Sequence, residues 1–293
     1  MKFVFFGTPE FAAIILEKLI NAGFAPQVIV CNPDRPAGRK KIITAPPVKK
    51  LLIEKFKDLK IEILQPEKSD DDLIAQILNY KTDIFIIAAY GRIVPEKILK
   101  IPRLGSIGVH PSLLPKYRGP SPIQSAILNG EEITGTTVFL MDEKVDHGPI
   151  LATSQLPIAT NDNYKLLMKK LAELSADLLI EILPDIEEKI KNAKPQNESL
   201  VTYTKKFKSE DAFIKPIDLE KAQGSTGSPQ EIRRIAIEID RKISAFNPEP
   251  GAWTLQQAQG KQIRMKILEA EITPDNKLRL KRIQTEGKKP IIL

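Results

Sequence analysis

Short, almost uninterrupted apolar runs recur through the first 110 residues of this chain. They cover residues 2–6, 27–31, 61–64, 83–88 and 105–109, and helical or polar stretches separate them. A strand with one wet face alternates apolar and polar side chains, whereas a strand covered on both faces reads as a continuous apolar run. Runs of this kind separated by helices predict an α/β fold with a parallel sheet between helical layers. Ligands of such sheets bind at the carboxyl ends of the strands, so the residues that follow each run are the candidates for function.

The helices between the runs carry their own punctuation. After the first strand, Thr8 offers an N-cap and Pro9 a first helical position. Phe11, Ile15 and Leu19 then recur every four residues, and Gly23 closes the helix. Ser69, followed by Asp70, Asp71 and Asp72, predicts another helix start, since a capping hydroxyl and early carboxylates suit the positive end of a helix. A helical pattern runs over residues 164–191 through Leu167, Leu171, Leu174, Leu178 and Ile182, with Pro184 expected to kink or split it.

The last third differs. Residues 192–199 read as polar linker. Ser228, Pro229, Gln230 and Glu231 form a capping-box pattern that opens a helix ending near Phe246. Short strand-like runs at 252–257, 262–272, 277–283 and 290–293 follow, separated by turn signals such as Pro274-Asp275-Asn276. A chain of 293 residues suits two domains. The expected division is a catalytic domain over 1–191, a linker over 192–207 and a small β-rich domain over 208–293.

Charge narrows the partners. The net charge is +7, which favours an anionic partner. Between Pro33 and Lys50 there are six basic residues, Arg35, Arg39, Lys40, Lys41, Lys49 and Lys50, against the single acid Asp34. A second basic group, Arg279, Lys281, Arg282, Lys288 and Lys289, lies near the C-terminus. No apolar stretch approaches the roughly 20 residues needed to cross a bilayer, so no membrane is expected. Cys31 is the single cysteine, and the chain opens on a strand-like run with no charged-then-apolar leader. A cytoplasmic location is expected. One cysteine and two histidines give no zinc-like ligand cluster, so no metal is expected.

The two histidines are His110 and His147. His110 follows the fifth apolar run and opens a proline-flanked loop, a position suited to proton transfer. Asp142, Glu143, Asp146 and His147 lie together in a second loop. A carboxylate beside His110 would orient the ring and favour its charged form, and spacing alone leaves open which acid does so. Gly7-Thr8-Pro9 joins a strand to a helix but is not a dinucleotide fingerprint.

The run Gly105-Ser106-Ile107-Gly108-Val109-His110-Pro111-Ser112-Leu113-Leu114-Pro115 resembles the signature of the folate-dependent formyltransferases. Met141-Asp142-Glu143-Lys144-Val145-Asp146-His147-Gly148-Pro149 is similar to its second half. Further motifs resemble the branch of that superfamily that formylates methionyl-initiator-tRNA. They are Phe6-Gly7-Thr8-Pro9-Glu10-Phe11, Pro33-Asp34-Arg35-Pro36-Ala37-Gly38-Arg39, Ala89-Tyr90-Gly91, Ala245-Phe246-Asn247-Pro248 and Pro250-Gly251-Ala252-Trp253-Thr254.

The resemblance implies a Rossmann-like formyltransferase domain followed by a small OB-like barrel that helps to hold tRNA. It implies transfer of formyl from 10-formyltetrahydrofolate to the α-amine of methionyl-initiator-tRNA, with no metal, by a chain acting as a monomer. His110 and Asp146 become the catalytic pair, and Ser112, Leu113, Leu114 and Pro115 part of the folate site. Arg39, with Lys40 and Lys41 beside it, is expected to meet the tRNA acceptor end.

Three positions depart from the family pattern. Gly108 stands where the family usually carries Asn, Glu249 where relatives often have an aromatic, and the chain stops at Leu293 where the family usually continues. The C-terminal domain is therefore expected to be short. The missing amide at Gly108 is expected to leave a small polar void that a water fills, so that Gly108→Asn speeds turnover. Two other readings stand beside this one. A formyltransferase or formyl-folate hydrolase of the same fold would act on a small acceptor, and a catalytically silent protein would bind tRNA only. Retention of His110 and Asp146 disfavours the second, and the basic loop disfavours the first.

Overall fold

The computed structural model of the chain describes residues 1–38, 40–68, 71–258 and 260–293. The chain divides into two units, the first built from Met1–Gly119, Ile133–Pro157 and Met168–Tyr203. Its strands are β1 (Phe3–Gly7), β2 (Val28–Val30), β3 (Arg35–Ala37), β4 (Ile42–Thr44), β5 (Glu62–Leu64), β6 (Ile84–Ala88), β7 (Ser106–His110), β8 (Ile133–Leu140) and β9 (Ile150–Pro157). Its helices are α1 (Glu10–Asn21), α2 (Pro47–Lys55), α3 (Asp71–Leu78) and α4 (Glu96–Leu99). The second unit holds α5 (Pro122–Asn129). Helix α6 (Tyr164–Ile182), from Met168 onward, and α7 (Ile186–Lys191) return to the first. Pro184 falls in the 3-10 turn that separates these two, as its missing N–H requires.

Seven strands make one sheet in the order β5-β2-β1-β6-β7-β8-β9. The first five are parallel, and every residue of β1, β6 and β7 is buried, which is why these strands read as unbroken apolar runs. Strands β8 and β9 then add antiparallel pairs, so the sheet is mixed. One core cluster lies among Val4, Phe6, Val30, Phe85, Ile87 and Ile98 and their neighbours. Strand order reverses on either side of β1, and His110 ends β7 at the carboxyl edge, where ligands of such sheets bind.

Helix α1 buries Phe11, Ile15 and Leu19, and Gly23 follows it with φ +89°. Thr8 does not cap it. The Thr8 hydroxyl donates to the Tyr90 carbonyl at 3.1 Å and accepts from the Asn32 N–H at 3.2 Å, which ties the ends of three strands together. Ser69 and Asp70, expected to open α3, lie outside the described residues. The basic loop is a hairpin, with β3 and β4 paired antiparallel.

The second unit comprises Pro120–Glu132, Ile158–Leu167 and Thr204–Leu293. It holds α5, α8 (Pro216–Ala222) and α9 (Pro229–Phe246). It also holds a four-stranded antiparallel sheet of β10 (Trp253–Ala258), β11 (Lys261–Ile272), β12 (Leu278–Thr285) and β13 (Ile291–Ile292). The sheet has the β-rich character read from the sequence near the C-terminus, but the unit also takes in Pro120–Glu132 and Ile158–Leu167, and most of the expected linker, through Tyr203, belongs to the first unit. Ser228 accepts the Glu231 N–H and Pro229 takes the first helical turn of α9. Ile235, Ala236, Ile239 and Ile243 recur at three- and four-residue spacing and bury one face of α9 against Met265, Ile267 and Ile283. Each fully buried isoleucine contributes about 1.5–3 kcal/mol. The Asn247 carboxamide fastens the end of α9, donating to the carbonyls of Ile267 and Leu268 and accepting from Ala252. Helix α5 joins this unit by packing on α9.

Candidate active site

His110 and Asp146 are brought together in the first unit. The ring Nδ1 lies 3.5 Å from Asp146 Oδ2, with side-chain exposures of 7% and 19%. His110 Nε2 lies 2.9 Å from the Tyr117 carbonyl. The Tyr117 carbonyl can only accept, so Nε2 carries a proton, and Nδ1 is turned toward the Asp146 carboxylate. Asp146 Oδ2 also accepts the Gly119 N–H at 2.7 Å. Among the acids that spacing left open, Asp142 goes elsewhere. Its carboxylate lies 2.6 Å from Nδ1 of His147, whose side chain is 31% exposed and nearer the surface.

The loop that carries Asp146 is built for close approach. Asp146 sits at φ +49°, a left-handed conformation that costs an L-residue on the order of 1 kcal/mol. At Gly148 any Cβ would collide with the Leu140 carbonyl, so only glycine lets the loop return to β9.

Gln196, in the stretch read as linker, completes the arrangement and was not anticipated. Its amide nitrogen donates to the carbonyls of Asp146 and Gly148, each at 2.9 Å. Its oxygen accepts from Arg118 Nε at 3.0 Å and Nη2 at 2.8 Å. Arg118 also meets Glu198, Nη2 to Oε1 at 2.7 Å, and the Glu198 carboxyl is held below the usual carboxylate range chiefly by that hydrogen bond. The same stretch braces the segment after His110, since Tyr117 N–H donates to Thr202 Oγ1 and Arg118 N–H to the Thr202 carbonyl.

Residues 112–115 turn inward. The Ser112 hydroxyl donates to the Lys116 carbonyl at 2.7 Å, and Thr137 Oγ1 accepts the Leu114 N–H and donates to the Ser112 carbonyl. Ser112 and Leu114 are buried, whereas Leu113 and Pro115 keep partial exposure. A groove of about 390 Å³ opens at the amino end of β7, beside Leu99, Lys100, Gly105, Leu140, Met141 and Asp142. Neither His110, Asp146 nor residues 112–115 line it.

Gly108 corrects an expectation. A Cβ built there would lie 2.6 Å from Cε1 and Cζ of Phe139 and 3.1 Å from Cγ of Met141. The space beside His110 is therefore apolar and filled, not a polar void for water, because Phe139 pairs with Gly108 across β7 and β8 and its ring covers the bare backbone. In the basic hairpin, Lys40 and Lys41 are exposed and Arg39 lies outside the described residues.

Fold and site together define a formyl transferase: the family model of that description, "Formyl transferase", matches residues 1–183. The chain is 34% identical to the methionyl-tRNA formyltransferase of Macrococcus caseolyticus, over 98% of this chain and 92% of that protein. It is 37% identical to the methionyl-tRNA formyltransferase of Staphylococcus aureus, over 94% and 81%. With that likeness along nearly its whole length, the chain belongs to the methionyl-tRNA formyltransferase family. The fold also matches HypX from Aquifex aeolicus in complex with tetrahydrofolic acid, with a TM-score of 0.61 and 17% identity, over 100% of this chain and 45% of that one.

Proposed function

We propose that this chain transfers the formyl group of 10-formyltetrahydrofolate to the α-amine of methionyl-initiator-tRNA, and so serves translation initiation. The observation that carries the reading is the near full-length likeness to methionyl-tRNA formyltransferases, with His110 and Asp146 side by side at a strand's carboxyl end. The residues present suit a folate donor. The His110 imidazole faces a partly exposed carboxylate, and Leu113 and Pro115 offer partly exposed apolar surface, with Ser112 and Leu114 holding the loop's shape.

When bound, the folate supplies a formyl carbon open to attack by the amine, and negative charge then grows on the formyl oxygen. An α-amine has a pKa of roughly 8, so a usable neutral fraction exists near pH 7. His110 holds its ring through Nε2–H on the Tyr117 carbonyl and offers Nδ1–H to the charged oxygen. The 3.5 Å separation from Asp146 is longer than a hydrogen bond, which leaves Nδ1–H free to be shared. Asp146, fixed by the Gly119 N–H, takes the proton that the attacking amine loses and returns it to the folate nitrogen as that nitrogen's bond to the formyl carbon breaks, which releases tetrahydrofolate and the formylated amine. Gly108 contributes a flat strand backbone covered by Phe139.

Lys40 and Lys41 on the hairpin, with Arg39 next to them in the sequence, take the tRNA acceptor end, and the second unit, with the four-stranded sheet, holds tRNA further along. The enzyme acts as a monomer in the cytoplasm without a membrane partner. No helix among the described residues is long and apolar enough to cross a membrane. The test is formyl transfer from 10-formyltetrahydrofolate to charged initiator tRNA, run beside an aminosugar nucleotide, with light scattering for mass. Formylation of the tRNA alone supports the reading, and formylation of the small amine alone refutes it.

A further inference from the structure

We propose that Gln196 and Arg118 are positioning residues for the reaction, setting where Asp146 stands relative to His110. The inference rests on the reading of that pair as the reacting groups. A guanidinium is costly to bury unless it is fully hydrogen-bonded, yet the Arg118 side chain is 1% exposed. Arg118 has donors only, and the carbonyls of Asp146 and Gly148 accept only. One orientation of the Gln196 carboxamide satisfies all of them, oxygen to Arg118 and nitrogen to the two carbonyls. The buried arginine thus fixes which way the amide points, and the amide pins the loop on both sides of His147.

The loop needs such a pin, because Asp146 is held at φ +49°. The segment after His110 is tied to the same bracket. Tyr117 gives its carbonyl to His110, Arg118 its side chain to Gln196, and Gly119 its N–H to Asp146. The two reacting side chains are therefore referenced to each other through three consecutive residues and one carboxamide. Gln196 holds the backbone carbonyl of Asp146 rather than its carboxylate, so the effect of the bracket passes through the placement of Asp146. A displacement near 1 Å there costs about a hundredfold in rate.

The test is a double-mutant cycle in single-turnover formyl transfer, with the full chain, 10-formyltetrahydrofolate and methionyl-tRNA. Gln196→Glu keeps an oxygen for Arg118 and sets an acceptor against the two carbonyls. Gln196→Ala removes the bracket outright. Each is expected to slow transfer about a hundredfold with the folate dissociation constant near wild type, and to lower the thermal midpoint because buried partners are left unpaired, so the rates are read well below that midpoint. In an Asp146→Asn background the same substitutions are expected to cost no more than about twofold, the scatter found for independent sites. Equal losses in both backgrounds, or wild-type rates in both Gln196 variants, overturn the bracket and leave His110 and Asp146 as the reacting pair. A wild-type rate in Asp146→Asn alone overturns the functional reading with it.

Discussion

The ring of Phe139 occupies the space that a side chain at Gly108 would need, at 2.6 Å from the built Cβ. The two residues face each other across β7 and β8, and Gly108 lies on the same strand face as His110. The glycine and the phenylalanine are therefore one feature, an apolar wall beside the histidine.

It follows that Gly108→Asn slows the enzyme, reversing the expectation from sequence. Gly108→Ala and Gly108→Asn each force a buried ring aside, at about 1–3 kcal/mol. Thermal unfolding and single-turnover transfer measure both effects. Pairing Gly108→Asn with Phe139→Ala is expected to recover stability. A faster Gly108→Asn single variant with unchanged stability contradicts the account.

Cys31 is buried just beyond β2, and burial pushes its thiol up to about 11. The thiolate is the reactive form, so the native protein is expected to resist a disulfide-exchange reagent at about pH 8 and to react stoichiometrically once unfolded in guanidinium. Prompt reaction of the native protein would show that the second strand is open.

Lys40 and Lys41 are exposed on the hairpin. Replacing them with Ala, together with Arg39, is expected to weaken tRNA binding. The log–log salt dependence is expected to flatten by about one for each phosphate that is no longer neutralised. Folate binding is expected to stay constant. An unchanged slope removes the hairpin from the tRNA surface.

Ser228 caps α9 with a 3.3 Å bond from the Glu231 N–H. Ser228→Ala is expected to cost about 1 kcal/mol, read as a drop of about 2–4 °C in thermal midpoint. No change in a calorimetric scan would mean that the helix end is held by packing alone.

What the sequence revealed follows from what burial imprints on it. Strands β1, β6 and β7 are covered on both faces, and their apolar runs announced them. The hairpin of β3 and β4 went unread because Arg35, Pro36, Ala37, Ile42 and Ile43 are all exposed, and no buried face imposes a period. Thr8 read as a cap because that is a local use of a hydroxyl, whereas its real partners, Tyr90 and Asn32, are distant in sequence. His110 and Asp146 were legible through the resemblance of their motifs. The choice among Asp142, Glu143 and Asp146 on spacing alone needed the fold of the loop. Gln196 left no signal, because two of its partners are backbone carbonyls, one of them 50 residues away, and any residue supplies a carbonyl. The void expected at Gly108 failed for want of strand register, which alone sets Phe139 opposite.

The central claim is that His110 and Asp146 carry the formyl transfer. Single-turnover transfer from 10-formyltetrahydrofolate to methionyl-tRNA by wild type, His110→Ala and Asp146→Asn measures it directly. Removing a positioned oxyanion donor or proton acceptor costs about a hundred- to a thousandfold, and each variant is expected to lose at least the lower figure. Folate binding, followed by equilibrium titration, is expected to change little, which marks interactions made in the transition state. Wild-type transfer rates in either variant would contradict the account.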